Sequence, residues 1–183
     1  MMVYLIDKRA RSAGVPEPAG LVGLRAPASH DFEALWRRDI GSLPGHRDPR
    51  IVFANATDDI QFLIQQATGL VGTPWSIWML RILAHGSPGY IQLGTGVEAS
   101  QARNFSLLAQ YMTPQRMNGR GVQIHGCNVG EGRHGRHLLQ ALADAVGMPV
   151  TASTKVQRPD TNFLFEGGPS ITVEPRRTHC AVH

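Results

Sequence analysis

Residues 121–135 read Gly-Val-Gln-Ile-His-Gly-Cys-Asn-Val-Gly-Glu-Gly-Arg-His-Gly, and their order decides the kind of fold to expect. A short apolar run ends at Gly126 and Cys127, a glycine-rich turn follows, and an amphipathic helical period begins near Arg133. The pattern is strand, turn, helix, with a thiol at the carboxyl end of the strand. Unpaired backbone N–H groups at a helix N-terminus, together with the positive end of the helix dipole, favour negative charge and so a thiolate. The other reading of Cys127 is a small buried hydrophobe. A second apolar run, about 40 residues earlier, ends in the same fashion at His85 and Gly86.

Working outward, the same alternation recurs. Ile51 to Ala54 predicts a buried strand that stops at Asn55, and Thr57 or Asp58 is placed to cap a helix, with Gln61 completing a capping box with Asp58. Ile60, Leu63, Ile64 and Ala67 fall on one helical face before Gly69. Trp78 to Ala84 is apolar except for Arg81, as expected of a strand covered on both faces, and it delivers His85. Gly86 to Gly89 predicts a tight turn, with Tyr90 to Leu93 as a return strand. Ala102, Phe105, Leu108, Ala109 and Met112 give a helical period over 99–112. Beyond the central stretch, Leu138, Leu142 and Val146 mark a helix stopped by Gly147, Val150 to Ser153 begins another strand, and 163–166 with 171–173 suggest a terminal hairpin. Val3 to Ile6 reads as an opening strand. From Arg11 to Pro49 five prolines interrupt any long element, and only Asp31 to Asp39 has helical character.

Strands alternating with helices predict an α/β fold, a three-layer αβα sandwich with a mostly parallel central sheet. The chain divides into residues 1–50, a strand plus a Pro/Arg-rich arm, and residues 51–183, the α/β part, within one domain; 183 residues leave little room for a second core. Ligands gather beyond the carboxyl ends of parallel strands, so Asn55, His85, Cys127 and the segment after Val150 are expected at one rim.

Composition narrows the partners. Hydrophobic residues make up 42% and charged residues 17%, which suits a globular chain. The net charge is +4, and Lys8 and Lys155 are the only lysines, so the positive charge is almost all arginine. No dense basic run with interleaved aromatics argues for nucleic acid. No apolar segment has the length that spans a bilayer. The run from Met1 to Ile6 is too short for the core of a signal peptide and is followed, not preceded, by Lys8, Arg9 and Arg11; a cytoplasmic site of synthesis is expected. Cys127 and Cys180 are far apart and suggest no disulfide framework.

A strand ending in His-Gly, then a helix, then a strand ending in Gly-Cys resembles the caspase-like cysteine peptidases, the group of caspases, gingipains, clostripain, legumain and separase. The wording Ala-His-Gly-Ser-Pro-Gly-Tyr-Ile-Gln-Leu-Gly, His-Gly-Cys-Asn-Val-Gly-Glu-Gly and Val-Thr-Ala-Ser-Thr is similar to a caspase-like domain of large bacterial surface and repeat proteins, and the order is similar to the self-cleaving protease domains of bacterial toxins. The resemblance covers residues 51–174. It implies a dyad in which Cys127 attacks a scissile carbonyl and His85 protonates the leaving amine and helps activate the deacylating water. The backbone N–H groups of Gly86 and Cys127 would stabilise the oxyanion. Ser153 and Thr154 would line the pocket for the residue before the cleaved bond. The partner would be a protein or peptide, and no cofactor is needed for the chemistry. No third, orienting residue stands out, and Asn128 is only a chain neighbour of the thiol.

Three other readings stay open. A catalytically inactive version of the same fold would be a protein-interaction module. His125, Cys127, His134 and His137 are of the types zinc prefers, although their spacing matches no recognised structural site. The toxin resemblance implies activation by an inositol polyphosphate, for which Lys155, Arg158, Arg176 and Arg177 are candidates, with a solvated charged face as the plainer account. His125 itself, inside its strand, reads as a core or edge histidine in preference to a catalytic one.

Overall fold

The computed structural model describes residues 1–10, 37, 40, 49–114, 120–157, 165 and 169–176. Its strands are β1 (Met2–Asp7), β2 (Arg50–Ala54), β3 (Met79–Leu83), β4 (His85–Ser87), β5 (Tyr90–Gln92), β6 (Gly121–His125), β7 (Val150–Ser153) and β8 (Ser170–Val173), and its α-helices are α1 (Ile60–Val71) and α2 (Gly132–Val146). Among the described residues six strands form one sheet in the order β2-β1-β3-β6-β7-β8; β4 and β5 form a separate hairpin. All neighbours in the main sheet are parallel except β8, which runs antiparallel beside β7. The protein is a mixed α/β fold with a mostly parallel sheet. β8 pairs with β7, and the other arm of the expected terminal hairpin, residues 163, 164 and 166, lies outside the described residues.

Alternation along the strands sorts the sheet into two faces. Val3 and Leu5, Val52 and Ala54, Leu80 and Ile82, Val122 and Ile124, and Val150 and Ala152 join one core cluster with α1, α2 and the segment 99–111. Met2, Tyr4, Ile6, Ile51, Met79 and Leu83 form a second cluster on the opposite face, closed by Ile40. Arg37 lies over the Phe53 ring at 5.1 Å, and both Arg37 and Ile40 are helical. This follows from chain direction. The β1-to-β2 step moves one way along the sheet and the β2-to-β3, β3-to-β6 and β6-to-β7 steps move the other way, which with right-handed crossovers accounts for Arg37 and Ile40, between β1 and β2, lying on the face opposite α1 and α2.

β1, assigned in sequence to the N-terminal arm, is inserted between β2 and β3, and all six of its residues are buried. Arg81 and Gln123, which interrupt apolar strands, are register partners, and Tyr4 is the register partner of Arg81 on the other side. Arg81 Nε donates to Gln123 Oε1 at 2.9 Å and its Nη1 to the Tyr4 hydroxyl at 3.3 Å, which satisfies a phenol that would otherwise be buried at a cost.

Two helix ends and one helix type differ from expectation. The N-cap of α1 is Asp59, whose carboxylate accepts the Gln61 N–H at 2.8 Å; Asp58 instead accepts from the Asn55 backbone and side chain. The helix runs through Gly69 to Gly72, whose left-handed φ of 66° lets its N–H close on Thr68. Residues Ala99–Tyr111 form a 3₁₀ helix, not an α-helix. Its buried residues are Ala102, Phe105 and Leu108, three apart, the spacing at which side chains of a 3₁₀ helix eclipse. A period of three was present in the sequence beside the longer one.

Candidate active site at the carboxyl rim of the sheet

The registers Asp7↔Ala54, Ile6↔Leu83, Leu83↔His125 and Ile124↔Ala152 bring five parallel strands to an end at one rim. The direction of the connections reverses between β1 and β3, the place where open parallel sheets leave a crevice. His85 follows β3 and Cys127 follows β6, which is its neighbour.

The two dipeptides meet through their glycines. A Cβ added to Gly86 would collide with Val129 Cγ2 and lie 3.0 Å from the Cys127 carbonyl oxygen and 3.4 Å from the Cys127 nitrogen. A Cβ on Gly126 would lie 2.9 Å from the Ala84 oxygen and 3.6 Å from Gly86 Cα. His-Gly and Gly-Cys are therefore held in main-chain contact, which only glycine permits.

The backbone amides differ in their commitments. Ser87 and Tyr90 close a hairpin around Pro88 and Gly89, with Gly89 at φ 77°. The closing pair of a two-residue hairpin is hydrogen-bonded, so the next pair, Gly86 and Ile91, is not. Ile91 turns its N–H and C=O to Val97 instead, at 3.0 and 2.9 Å. The Gly86 N–H is thus not committed to the hairpin ladder.

His85 is exposed, and its Nε2 lies 2.9 Å from the Arg9 carbonyl oxygen. A carbonyl can only accept, so Nε2 carries the proton, and in a neutral ring Nδ1 is then the unprotonated nitrogen. Arg9 is in turn fixed by Asp7. That carboxylate is fully buried at the end of β1 and accepts from Arg9 N at 2.9 Å, Arg9 Nε at 2.8 Å, Arg9 Nη2 at 2.7 Å and Gly94 N at 2.9 Å. Arg9 Nη2 also donates to the Gly94 and Gln92 oxygens, which ties β1 to the hairpin carrying His85. Asp7 and Arg9 fall outside the sequence expectation because the apolar run of β1 stops at Ile6 and the charges that follow it bear first on the question of a signal peptide. The signal was available: the strand-end rule that found His85 and Cys127 applies equally to Asp7.

The thiol of Cys127 is half-buried. Asn128 follows it with φ 59°, a left-handed conformation that asparagine tolerates better than other non-glycine residues, and its carbonyl accepts the Glu131 N–H at 2.9 Å to shape the turn. Helix α2 begins at Gly132, five residues beyond Cys127, so the thiol lies outside the first helical turn, where the dipole acts. The sulfur is bracketed by Gln157, whose N–H approaches at 3.4 Å and whose carbonyl oxygen lies at 3.8 Å.

Ser153 and Thr154 hold structure. Ser153 is fully buried, and its hydroxyl bonds the Lys155 N–H and carbonyl, each at 3.0 Å. The Thr154 hydroxyl donates to the Pro169 carbonyl at 2.6 Å. Of the anion candidates, Lys155 is exposed, Arg176 is committed to Asp144, its Nε and Nη2 both donating to Oδ2 and its backbone N–H to Oδ1, and Arg158 and Arg177 lie outside the described residues. Among the described residues no three of His, Cys, Asp and Glu converge as metal ligands, and none of the helices there is long and apolar enough to cross a membrane.

His125 stacks on Phe165, with ring centroids 4.8 Å apart and planes 6° apart. Burial, and secondarily the Arg81 charge, push its pKa from 6.5 to about 3, so at neutral pH it is a neutral packing group. In the unfolded chain it binds a proton below its ordinary value near 6.5, whereas in the fold it does so only near 3, so stability falls as pH drops through that window. The full shift corresponds to roughly 4–5 kcal/mol, which partial solvent contact reduces to about 2–3 kcal/mol. His125→Phe, which keeps the stack, should flatten this part of the profile. Urea unfolding of both proteins at pH 7 and pH 4 checks it; equal losses in the two proteins would reject the assignment.

A family model described as a domain of unknown function (DUF4347) matches residues 47–157, more than half of the chain and inclusive of both strand ends. No curated protein and no solved structure matches the chain.

Proposed function

The chain belongs to the DUF4347 family, and from the geometry of its rim we propose that it is a caspase-like cysteine endopeptidase that cuts itself or a linked protein partner. The observation that carries this reading is the contact of His85-Gly86 with Gly126-Cys127 at the ends of two adjacent parallel strands. In the proposed reaction Cys127 Sγ, its proton taken by His85 Nδ1, attacks the substrate carbonyl carbon. The C–N bond breaks as Nδ1 returns the proton to the leaving amine, and water then releases the thioester. The Gly86 N–H, not committed to the hairpin ladder, and the Cys127 N–H would receive the oxyanion. Fixing Nε2–H on Arg9 keeps the imidazole in the tautomer this sequence of proton transfers needs.

A second reading, a catalytically inactive module that binds protein at the same rim, is favoured by one observation: the Cys127 sulfur bonds to the main chain of Gln157. Wild type and Cys127→Ala, incubated with a mixed peptide library and a thiol-reactive probe, separate the two. The peptidase reading expects cleavage by wild type alone and faster labelling of Cys127 than of Cys180. No cleavage with equal labelling rates selects the module.

A further inference from the structure

Cys127 sits beside a segment bound to its turn at three successive points. Gly130 N donates to the Ser153 carbonyl at 2.9 Å, Asn128 N donates to the Lys155 carbonyl at 3.0 Å, and Gln157 N donates to Cys127 Sγ at 3.4 Å. Residues 153–157 therefore run antiparallel along 127–130 and finish on the sulfur. The buried Ser153 hydroxyl locks this course, taking the Lys155 N–H at 3.0 Å and the Gln157 side-chain Nε2–H at 2.7 Å while donating to the Lys155 carbonyl.

We infer that residues 155–157 form a built-in strap that holds Cys127 at rest, with Ser153 as its latch. The geometry stands by itself; its meaning as autoinhibition rests on the peptidase reading. Attack requires a carbonyl carbon about 3–3.5 Å from the sulfur in a defined direction. One approach to the sulfur is already taken by the Gln157 nitrogen at 3.4 Å. The thiol proton is directed at the Gln157 carbonyl oxygen, which cannot accept it as a base, and not at an imidazole. Release requires loss of the two long sulfur contacts and of the Asn128 N–H bond to the Lys155 carbonyl, none of which is a ladder bond of the main sheet. A protein or peptide that engages 155–157 would free the nucleophile as it docks, which couples recognition to activation.

The test uses the full chain in three forms: wild type, Gln157→Ala and Ser153→Ala. Gln157→Ala removes the side-chain anchor to Ser153 from a half-exposed position, and so serves if the buried Ser153→Ala change impairs folding. Alkylation of Cys127 by iodoacetamide is followed by peptide mapping, with Cys180 as the internal control, alongside thermal melting and cleavage of the peptide library. Loss of one such anchor is expected to speed Cys127 labelling about tenfold, with Cys180 labelling and the Gln157→Ala melting temperature unchanged. Equal Cys127 rates in wild type and Gln157→Ala overturn the strap, whether or not peptides are cut. Faster labelling with no cleavage in any form upholds the strap and removes the peptidase reading. Faster labelling with faster cleavage upholds both.

Discussion

Alanine at position 7 is expected to lower the unfolding free energy by about 3 kcal/mol, the lower end of the range for breaking a buried ion pair, because Arg9 keeps a third of its side chain in solvent and can be partly rehydrated. The loss has two physical parts. Four donors converge on the Asp7 carboxylate, and one of them, Gly94 N–H, is left without its acceptor in a closed loop. The guanidinium also loses its countercharge while still held near the Gln92 and Gly94 oxygens. Asp7→Asn, which keeps one acceptor oxygen and the shape, should lose less. Urea titration of the three proteins reads the stability. A change confined to a few tenths of a kcal/mol in Asp7→Ala would show that the network is incidental. The same variants carry a second readout: with Arg9 loosened, the carbonyl that fixes His85 Nε2–H moves, and the ¹⁵N shifts of the His85 ring should move towards a mixture of tautomers.

Gly135→Ala should also cost about 3 kcal/mol, against the sign that helix propensity alone gives. Position 135 lies in the first turn of α2, where alanine normally improves on glycine by about 1 kcal/mol. Here the added Cβ would meet the main chain of the preceding turn: the Gly130 carbonyl carbon, the Val129 oxygen at 2.6 Å and the Gly130 oxygen at 2.8 Å. Backbone atoms cannot rotate aside, so the turn carrying Cys127 to Gly130 would have to shift, and overpacking of this kind typically costs 1–3 kcal/mol or more. Gly69→Ala in α1 is the internal control. Nothing lies within 4 Å of its new Cβ and the helix continues through it, so it should gain about 0.5–1 kcal/mol. Opposite signs from the same substitution, measured by thermal or urea unfolding, separate packing from propensity; equal signs would contradict the close approach of α2 to the turn.

These sites mark the boundary between what could and could not be read in advance. β6 and β7 lie where the sequence places a strand, because an apolar run bounded by glycine, proline or a turn suits a covered parallel sheet. The rim position of His85 and Cys127 followed from the same logic. The N-cap of α1 and the type of the 99–111 helix are not legible in the sequence because Asp58 and Asp59 offer equal side chains and because 3.6- and 3-residue periods overlap over so short a span.

The sequence by itself determined the α/β alternation, the faces of α1 and α2, and the delivery of an imidazole and a thiol to neighbouring strand ends, since each of these depends on periodicity and chain order. Only the tertiary structure decided that β1 lies inside the sheet, that Asp7 and Arg9 orient His85, that the Ser153 hydroxyl serves a turn, and that Gln157 closes on the sulfur. The Arg9–His85 and Cys127–Gln157 contacts join residues 76 and 30 positions apart, and each uses a main-chain group of one partner, so no side-chain pattern announces them.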